Sequence, residues 1–199
     1  MSSISKNLFQ TPIQISKSEL GLLNVDLVKL AYKLKEENNS IETTEQKGFQ
    51  SVIYNPKDFK ETNQFIHLQI NNINNFLQQY SIIKNYEWGV KGIWFNINPK
   101  YSFNNLHTHS DCDFSAVYYL QVPKNSGSIV FENPNSVMLN HKFFQYPFNY
   151  NEINSNSYKV EPQEDMLILF PSYLPHRVQQ NLSDKDRICL SFNFSVDIK

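Results

Sequence analysis

The hydrophobic period of this chain changes once, near Tyr80, from about 3.6 residues to two, and no other feature constrains its fold as strongly. Before that point, two segments carry apolar residues at helical spacing. Leu27, Leu30, Ala31 and Leu34 share one face of a helix predicted over 24–35, with Asn24 as its cap and Asp26 in its first turn. Ile66, Ile70, Ile73 and Leu77 form the stripe of a second helix over 61–80. Both stripes predict faces that pack on a core. After Tyr80, Ile93, Phe95 and Ile97 alternate with Trp94, Asn96 and Asn98, and 115–122, 128–132 and 165–170 read as further strands. The final strand is the clearest. Arg187, Cys189, Ser191 and Asn193 share one face, and Ile188, Leu190, Phe192 and Phe194 share the other. Two early helices followed by many short strands predict a mainly β fold with N-terminal helices packed on the outside of a sandwich or barrel.

A chain of 199 residues supports one domain with a sizeable core. The expected organisation is a single domain over 1–199, with 1–85 as a helical support region and 86–199 as the β core. The net charge of −1 leaves no electrostatic footprint for nucleic acid or an anionic membrane. Two cysteines, Cys112 and Cys189, cannot make a disulfide framework, and no apolar run approaches a membrane-spanning length. The N-terminal residues lack the long apolar core of a signal peptide, so a reducing, cytoplasmic location is expected, in a bacterial cell or a phage-infected host. A polar, aromatic-rich stretch over 133–158 (Phe143, Phe144, Tyr146, Phe148, Tyr150) has no clear period and reads as a substrate-facing loop or lid.

Chemistry concentrates in His107-Thr108-His109-Ser110-Asp111. On an extended chain, residues two and four apart point the same way, so all three metal-ligand candidates would share a face. A histidine and a carboxylate so placed, joined by one distant histidine, make a 2-His-1-carboxylate facial triad, which binds non-heme Fe(II) and leaves three positions open. His176 is the distant candidate, downstream of Phe170-Pro171-Ser172, and Arg187 follows on the polar face of the last strand. Taken alone, His109-Ser110-Asp111 also fits a polar strand end, His176 a surface loop, and Arg187 an exposed pair with Asp184 or Asp186. A guanidinium on an inward strand face demands an anionic partner, which favours a buried anion site.

The order His109-Ser-Asp111, Val117-Tyr118-Tyr119-Leu120, Ser126-Gly127-Ser128-Ile129-Val130-Phe131, Phe170-Pro171-Ser172 leading to His176-Arg-Val178, and Arg187-Ile-Cys-Leu-Ser191-Phe192 resembles the 2-oxoglutarate/Fe(II)-dependent dioxygenases. The nearest large group is the prolyl-hydroxylase-like branch. The His-Thr-His-Ser spacing and the Asn96 strand resemble in particular the 2-oxoglutarate oxygenases common in bacteriophage, as do Leu8–Ile13 and Gly48–Ser51. The resemblance implies a double-stranded β-helix, or jelly roll, with a metal at its mouth. It implies that His109, Asp111 and His176 hold Fe(II), that Arg187 binds the distal carboxylate of 2-oxoglutarate, and that Ser191 and Tyr119 complete that site. Dioxygen takes the remaining position, and the expected outcome is hydroxylation with release of succinate and carbon dioxide.

One alternative concerns the ligands. His107 and His109 could be the pair from this segment, with Asp111 orienting an imidazole. Trp94 and Asn96, on the polar face of their strand, are candidates to touch the substrate. Two other functions are compatible with these residues: a catalytically inactive jelly-roll binding or structural protein, and a cupin-like metalloenzyme using His107, His109 and His176 without 2-oxoglutarate. Arg187 and Ser191 separate both from the leading reading, since neither has a dicarboxylate to anchor.

Overall fold

Side chains that alternate along an extended chain must find two different surroundings, and those of the final strand do. Ile188, Leu190, Phe192 and Phe194 are completely buried on one side, while Arg187, Cys189, Ser191 and Asn193 line a cavity on the other. In this computed structural model residues 4, 9–37, 39–41, 45–83, 85–135, 141, 151 and 154–199 are described. In chain order they form β1 (Gln14–Lys17), α1 (Leu22–Glu36), β2 (Glu45–Gln46), β3 (Phe49–Gln50), a 3-10 turn (Pro56–Asp58), α2 (Lys60–Gln78), β4 (Tyr86–Asn98) and β5 (Phe103–His107). Then follow β6 (Phe114–Gln121), β7 (Ile129–Glu132), β8 (Ser157–Val160), β9 (Met166–Pro171), β10 (His176–Val178) and β11 (Arg187–Ile198).

The strands make two antiparallel sheets, one of six in the order β1-β9-β6-β11-β4-β3 and one of five in the order β2-β5-β10-β7-β8. This is the expected jelly roll, with helices on one outer face. Leu27, Leu30, Ala31 and Leu34 of α1 and Phe65, Ile73, Phe76 and Leu77 of α2 join one buried cluster with Phe95, Tyr118, Leu169 and Phe192 of the larger sheet. A second cluster, with Val117, Tyr119, Phe131, Ile168, Phe170 and Cys189, fills the space between the sheets. Each large side chain buried in these layers contributes about 2–3 kcal/mol of transfer free energy. The first 85 residues supply more than helices, because β1 pairs with β9, β2 with β5 and β3 with β4.

Both helices differ in detail from their sequence reading. α1 begins earlier, after Gly21 at φ 56°, so Asn24 lies inside it rather than at its cap. The Asn24 amide instead donates to the Leu120 carbonyl at 3.0 Å, tying the helix to β6. On α2 Ile73 and Leu77 are buried as expected, but Phe65, Gln69 and Phe76 join them on the face towards the sheet, while Ile66 is only partly buried and Ile70 is exposed. Two aromatic rings outweigh one isoleucine for the core position. Phe65 packs on Tyr118 and Phe192, at centroid distances of 5.1 and 6.0 Å. Buried Gln69 is half satisfied: its Oε1 accepts from Ser18 and Asn72, while its Nε2 has no partner. The aromatic residues expected to form a lid over 133–158 lie outside the described residues.

Candidate metal and co-substrate site

β5 ends at His107, where it pairs with His176 of β10 across the smaller sheet. Beyond His107 the chain leaves the sheet and bends at Ser110 and Asp111 before entering β6. The His109 N–H donates to the Ser172 carbonyl at 3.0 Å, and the Ser172 N–H donates to the Asp113 carbonyl at 3.0 Å. The Asp113 carboxylate accepts the Val196 N–H at 2.9 Å. These bonds fasten the 108–113 segment to the ends of β9 and β11 and swing the His109 ring towards the other two. Ring centroids of His107 and His176 are 4.2 Å apart, those of His107 and His109 5.1 Å, and those of His109 and His176 5.3 Å.

The three imidazoles each offer one ligand atom, and these atoms lie within 4.8 Å of one another, a group that can hold a metal ion. Asp111 is not part of this group; it sits exposed at the bend. The shared-face argument requires an extended chain through 111, and the strand stops four residues short. His107 Nδ1 donates to the Asn105 carbonyl at 2.7 Å and His176 Nδ1 to the Leu174 carbonyl at 2.9 Å, since a carbonyl can only accept. In both rings Nε2 is therefore the nitrogen left for a metal.

Burial keeps the imidazoles neutral, as ligation requires. It lowers the pKa of His107, that of His109 to about 4 with help from the neighbouring His107, and that of His176 to about 3 with help from His107 and His109. The sign follows for stability. Between the ordinary histidine pKa near 6.5 and these depressed values, the unfolded chain binds more protons than the folded one. The metal-free protein should thus keep its stability above about pH 6.5 and lose it progressively as pH falls towards 4. Thermal melting of the apoprotein against pH checks this, with His109→Gln/His176→Gln expected to flatten the slope; a wild-type melting temperature unchanged across that window would contradict it.

Across the cavity, of about 280 Å³, stands Arg187 at 1% exposure. Its Nη1 donates to the carbonyls of Ser126 and Gln179, whereas Nε and Nη2 are buried without a partner. A buried guanidinium with two vacant donors is costly unless an anion meets it, and a carboxylate meets it bidentately. Tyr119, opposite Cys189 on the neighbouring strand, is buried beside Arg187. Burial raises its pKa, so its hydroxyl stays protonated as a donor, and that hydroxyl makes no hydrogen bond within the described protein. Ser191 accepts from the Asn96 amide at 3.2 Å, and Asn96 and Trp94 both line the same cavity. The residues therefore fit a 2-oxoglutarate dianion: a distal carboxylate at Arg187 and a proximal end at the imidazoles.

Sequence reading missed how the arginine is aimed. Gly127 has φ +82°, and a Cβ there would lie 2.5 Å from the Gln179 carbonyl oxygen and 2.7 Å from that of Gln180. Asn181, completely buried, braces the same segment through its amide bonds to the carbonyls of Asn98 and Lys185 at 2.8 and 2.9 Å. The turn residue Gly127 was visible in the sequence, but the backbone it must admit was not. Gly127→Ala should displace the Gln179 carbonyl that helps to hold Arg187, destabilise the fold by about 1–3 kcal/mol and weaken 2-oxoglutarate binding. A melting curve and a co-substrate titration on the same variant test it, and unchanged binding would refute the link to Arg187.

A jelly roll that gathers three neutral imidazoles across a cavity from an unpaired guanidinium defines a metal-dependent enzyme with an acidic co-substrate. A family model described as "Putative 2OG-Fe(II) oxygenase" matches residues 92–193, and the chain belongs to this family. The protein is a 2-oxoglutarate- and Fe(II)-dependent oxygenase, with dioxygen as the second co-substrate. Among solved structures, a prolyl-4-hydroxylase of Pseudomonas putida is similar at TM-score 0.65 and 18% identity, with 93% of this chain and 92% of that one covered. The viral collagen prolyl hydroxylase of Paramecium Bursaria Chlorella virus-1, solved with 2-oxoglutarate, is similar at TM-score 0.59 and 13% identity, covering 92% and 94%. The prolyl hydroxylase of Trichoplax adhaerens, in complex with a hypoxia inducible factor peptide fragment, is similar at TM-score 0.61 and 15% identity, covering 92% and 83%. At these identities the likeness is one of fold. No curated protein sequence matches the chain. Among the described residues no helix is long and apolar enough to cross a membrane.

Proposed function

We propose that His107, His109 and His176 are the iron ligands, that Arg187 anchors the distal carboxylate of 2-oxoglutarate, and that the enzyme hydroxylates a C–H bond of a substrate entering at the cavity mouth. The convergence of the three imidazoles carries the ligand assignment. The vacant Nε and Nη2 of Arg187 carry the co-substrate assignment. Fe(II) and 2-oxoglutarate, when bound, supply dioxygen activation coupled to oxidative decarboxylation, yielding succinate, carbon dioxide and a hydroxylated product.

The chain's own work is to position and to exclude water. The carbonyls of Asn105 and Leu174 hold two imidazoles in one tautomer. Three neutral ligands leave the metal's charge to be balanced by the co-substrate, which favours a dianion at this site. Phe131 and Phe170 pack against His176, with centroids 6.1 and 4.8 Å away, and keep that ligand dry. Tyr119 and Ser191 lie on the face between Arg187 and the imidazoles, where hydroxyls reach a carboxylate. Trp94 and Asn96 complete the wall from β4. The single-domain reading over 1–199 and a reducing, cytoplasmic location are part of the proposal, supported by two free cysteines and by a ferrous cofactor that oxidising surroundings would spoil.

Anaerobic addition of Fe(II) and 2-oxoglutarate should give a metal-to-ligand charge-transfer band, and admission of air should then release succinate. Absence of the band in folded wild-type protein would sink the co-substrate assignment.

A further inference from the structure

The cavity face of β11 has two ends. Arg187 stands at one and Asn193 at the other, about 20 Å apart at roughly 3.3 Å per residue. The imidazoles belong to the Asn193 half. Trp94, paired with Ser191, touches His109 at 5.9 Å between centroids, and Phe170, paired with Ser115, touches His176 at 4.8 Å. Ser115 in turn is the register partner of Asn193. A co-substrate anchored at Arg187 and chelated at the imidazoles covers the face between Arg187 and Ser191 and leaves Asn193 beyond it.

Asn193 is held for use. Its Oδ1 accepts from the Ser115 hydroxyl at 2.8 Å, and Ser115 is 2% exposed, so the amide is fixed from behind. Its Nδ2 donates to no described residue, which leaves an N–H donor at the cavity. The strand opposite offers no side chain there, because Asn193 pairs with Gly92, and a Cβ on Gly92 would collide with Ile53 Cγ2. The register slips just after Asn193, leaving Lys91 unpaired and re-aiming the strand. The wall is made instead by Ile53, which is 57% exposed. Among the described residues lining the cavity there is no Asp, Glu or Lys, and Arg187 is taken by the co-substrate.

We propose that Asn193, backed by Ser115 and flanked by Ile53, is a subsite for the primary substrate that takes an uncharged apolar group bearing an amide-type carbonyl. This rests on the placement of 2-oxoglutarate between Arg187 and the imidazoles. The carbonyl accepts the Asn193 N–H, and the apolar part covers Ile53. A cationic group finds no counter-charge and would be desolvated at a loss. A donor left unmet in a closed site costs enough to discriminate about tenfold or more.

The test uses full-length protein loaded with Zn(II) and 2-oxoglutarate, a diamagnetic and redox-inert state. N-acetyl-leucine amide and N-acetyl-lysine amide are titrated in turn by saturation-transfer NMR, and 2-oxoglutarate affinity is measured separately. The leucine amide should bind, and the lysine amide should bind about tenfold more weakly or not at all. Asn193→Asp, nearly isosteric, and Asn193→Ala should each weaken the leucine amide about tenfold with 2-oxoglutarate affinity unchanged. Equal binding of the two amides, binding of neither, or loss of 2-oxoglutarate rather than amide in the Asn193 variants would overturn the subsite. Wild-type protein that takes up Zn(II) but no 2-oxoglutarate would overturn the underlying placement instead.

Discussion

Replacing Arg187 by methionine is expected to lower 2-oxoglutarate affinity by about 10²- to 10³-fold, the cost of about 3–5 kcal/mol for removing one partner of a buried, hydrogen-bonded ion pair. Anaerobic titration of the charge-transfer band reads it directly. Arg187→Lys should recover little, because an ammonium cannot offer the two parallel donors that Nε and Nη2 present. The same substitution should act with opposite sign on the empty protein. Without co-substrate, Arg187 is a buried cation satisfied only by the carbonyls of Ser126 and Gln179, so the methionine variant should melt higher than wild type in the absence of 2-oxoglutarate. Adding 2-oxoglutarate should then raise the melting temperature of wild type but not of the variant. A variant that binds 2-oxoglutarate as tightly as wild type would remove Arg187 from the site.

The second large effect separates His107 from Asp111. His107→Gln should weaken Co(II) or Fe(II) binding by about 10²-fold or more, as befits loss of a direct ligand, while Asp111→Asn should leave it nearly unchanged. Trp94 provides the readout, because its ring lies 5.9 Å from that of His109 and a bound paramagnetic ion quenches its emission. The other tryptophan, Trp88, bonds to Asn74 at 2.8 Å on a different face of the molecule, so a Trp88→Phe background isolates the signal. The reverse outcome, with Asp111 required and His107 dispensable, would mean that the 108–113 segment rearranges on metal binding and restores the carboxylate triad. Circular dichroism of both variants keeps a folding defect from being read as a lost ligand.

Much of this enzyme is legible in local pattern. The alternation 187–194 is a two-sided strand, and both its faces do what period two requires: four apolar residues at 0% exposure towards the helices, and Arg187, Cys189, Ser191 and Asn193 towards the cavity. The α1 stripe is buried as spacing predicts. On α2 Ile73 and Leu77 are buried as spacing predicts, but the centre of the stripe shifts, because periodicity names a face without weighing which side chains compete for it, and Phe65 and Phe76 won. Asp111 shows the same limit more sharply. Parity is a property of extended chain, and beyond His107 the segment is fastened instead to distant Ser172, which accepts the His109 N–H and donates to the Asp113 carbonyl.

The class of this protein is written along its chain: helices then strands, the histidines, and an arginine whose position on an inward face calls for an anion. Those are consequences of residue type and period, which travel along the chain. Tertiary contacts alone settle which three imidazoles meet, that Gly127 must admit the 179–180 backbone, and that Asn193 comes level with the imidazoles with its amide held by Ser115. Each of these depends on contacts between segments far apart in sequence, where a bend or a slip of one residue changes the partner, and no local period encodes that.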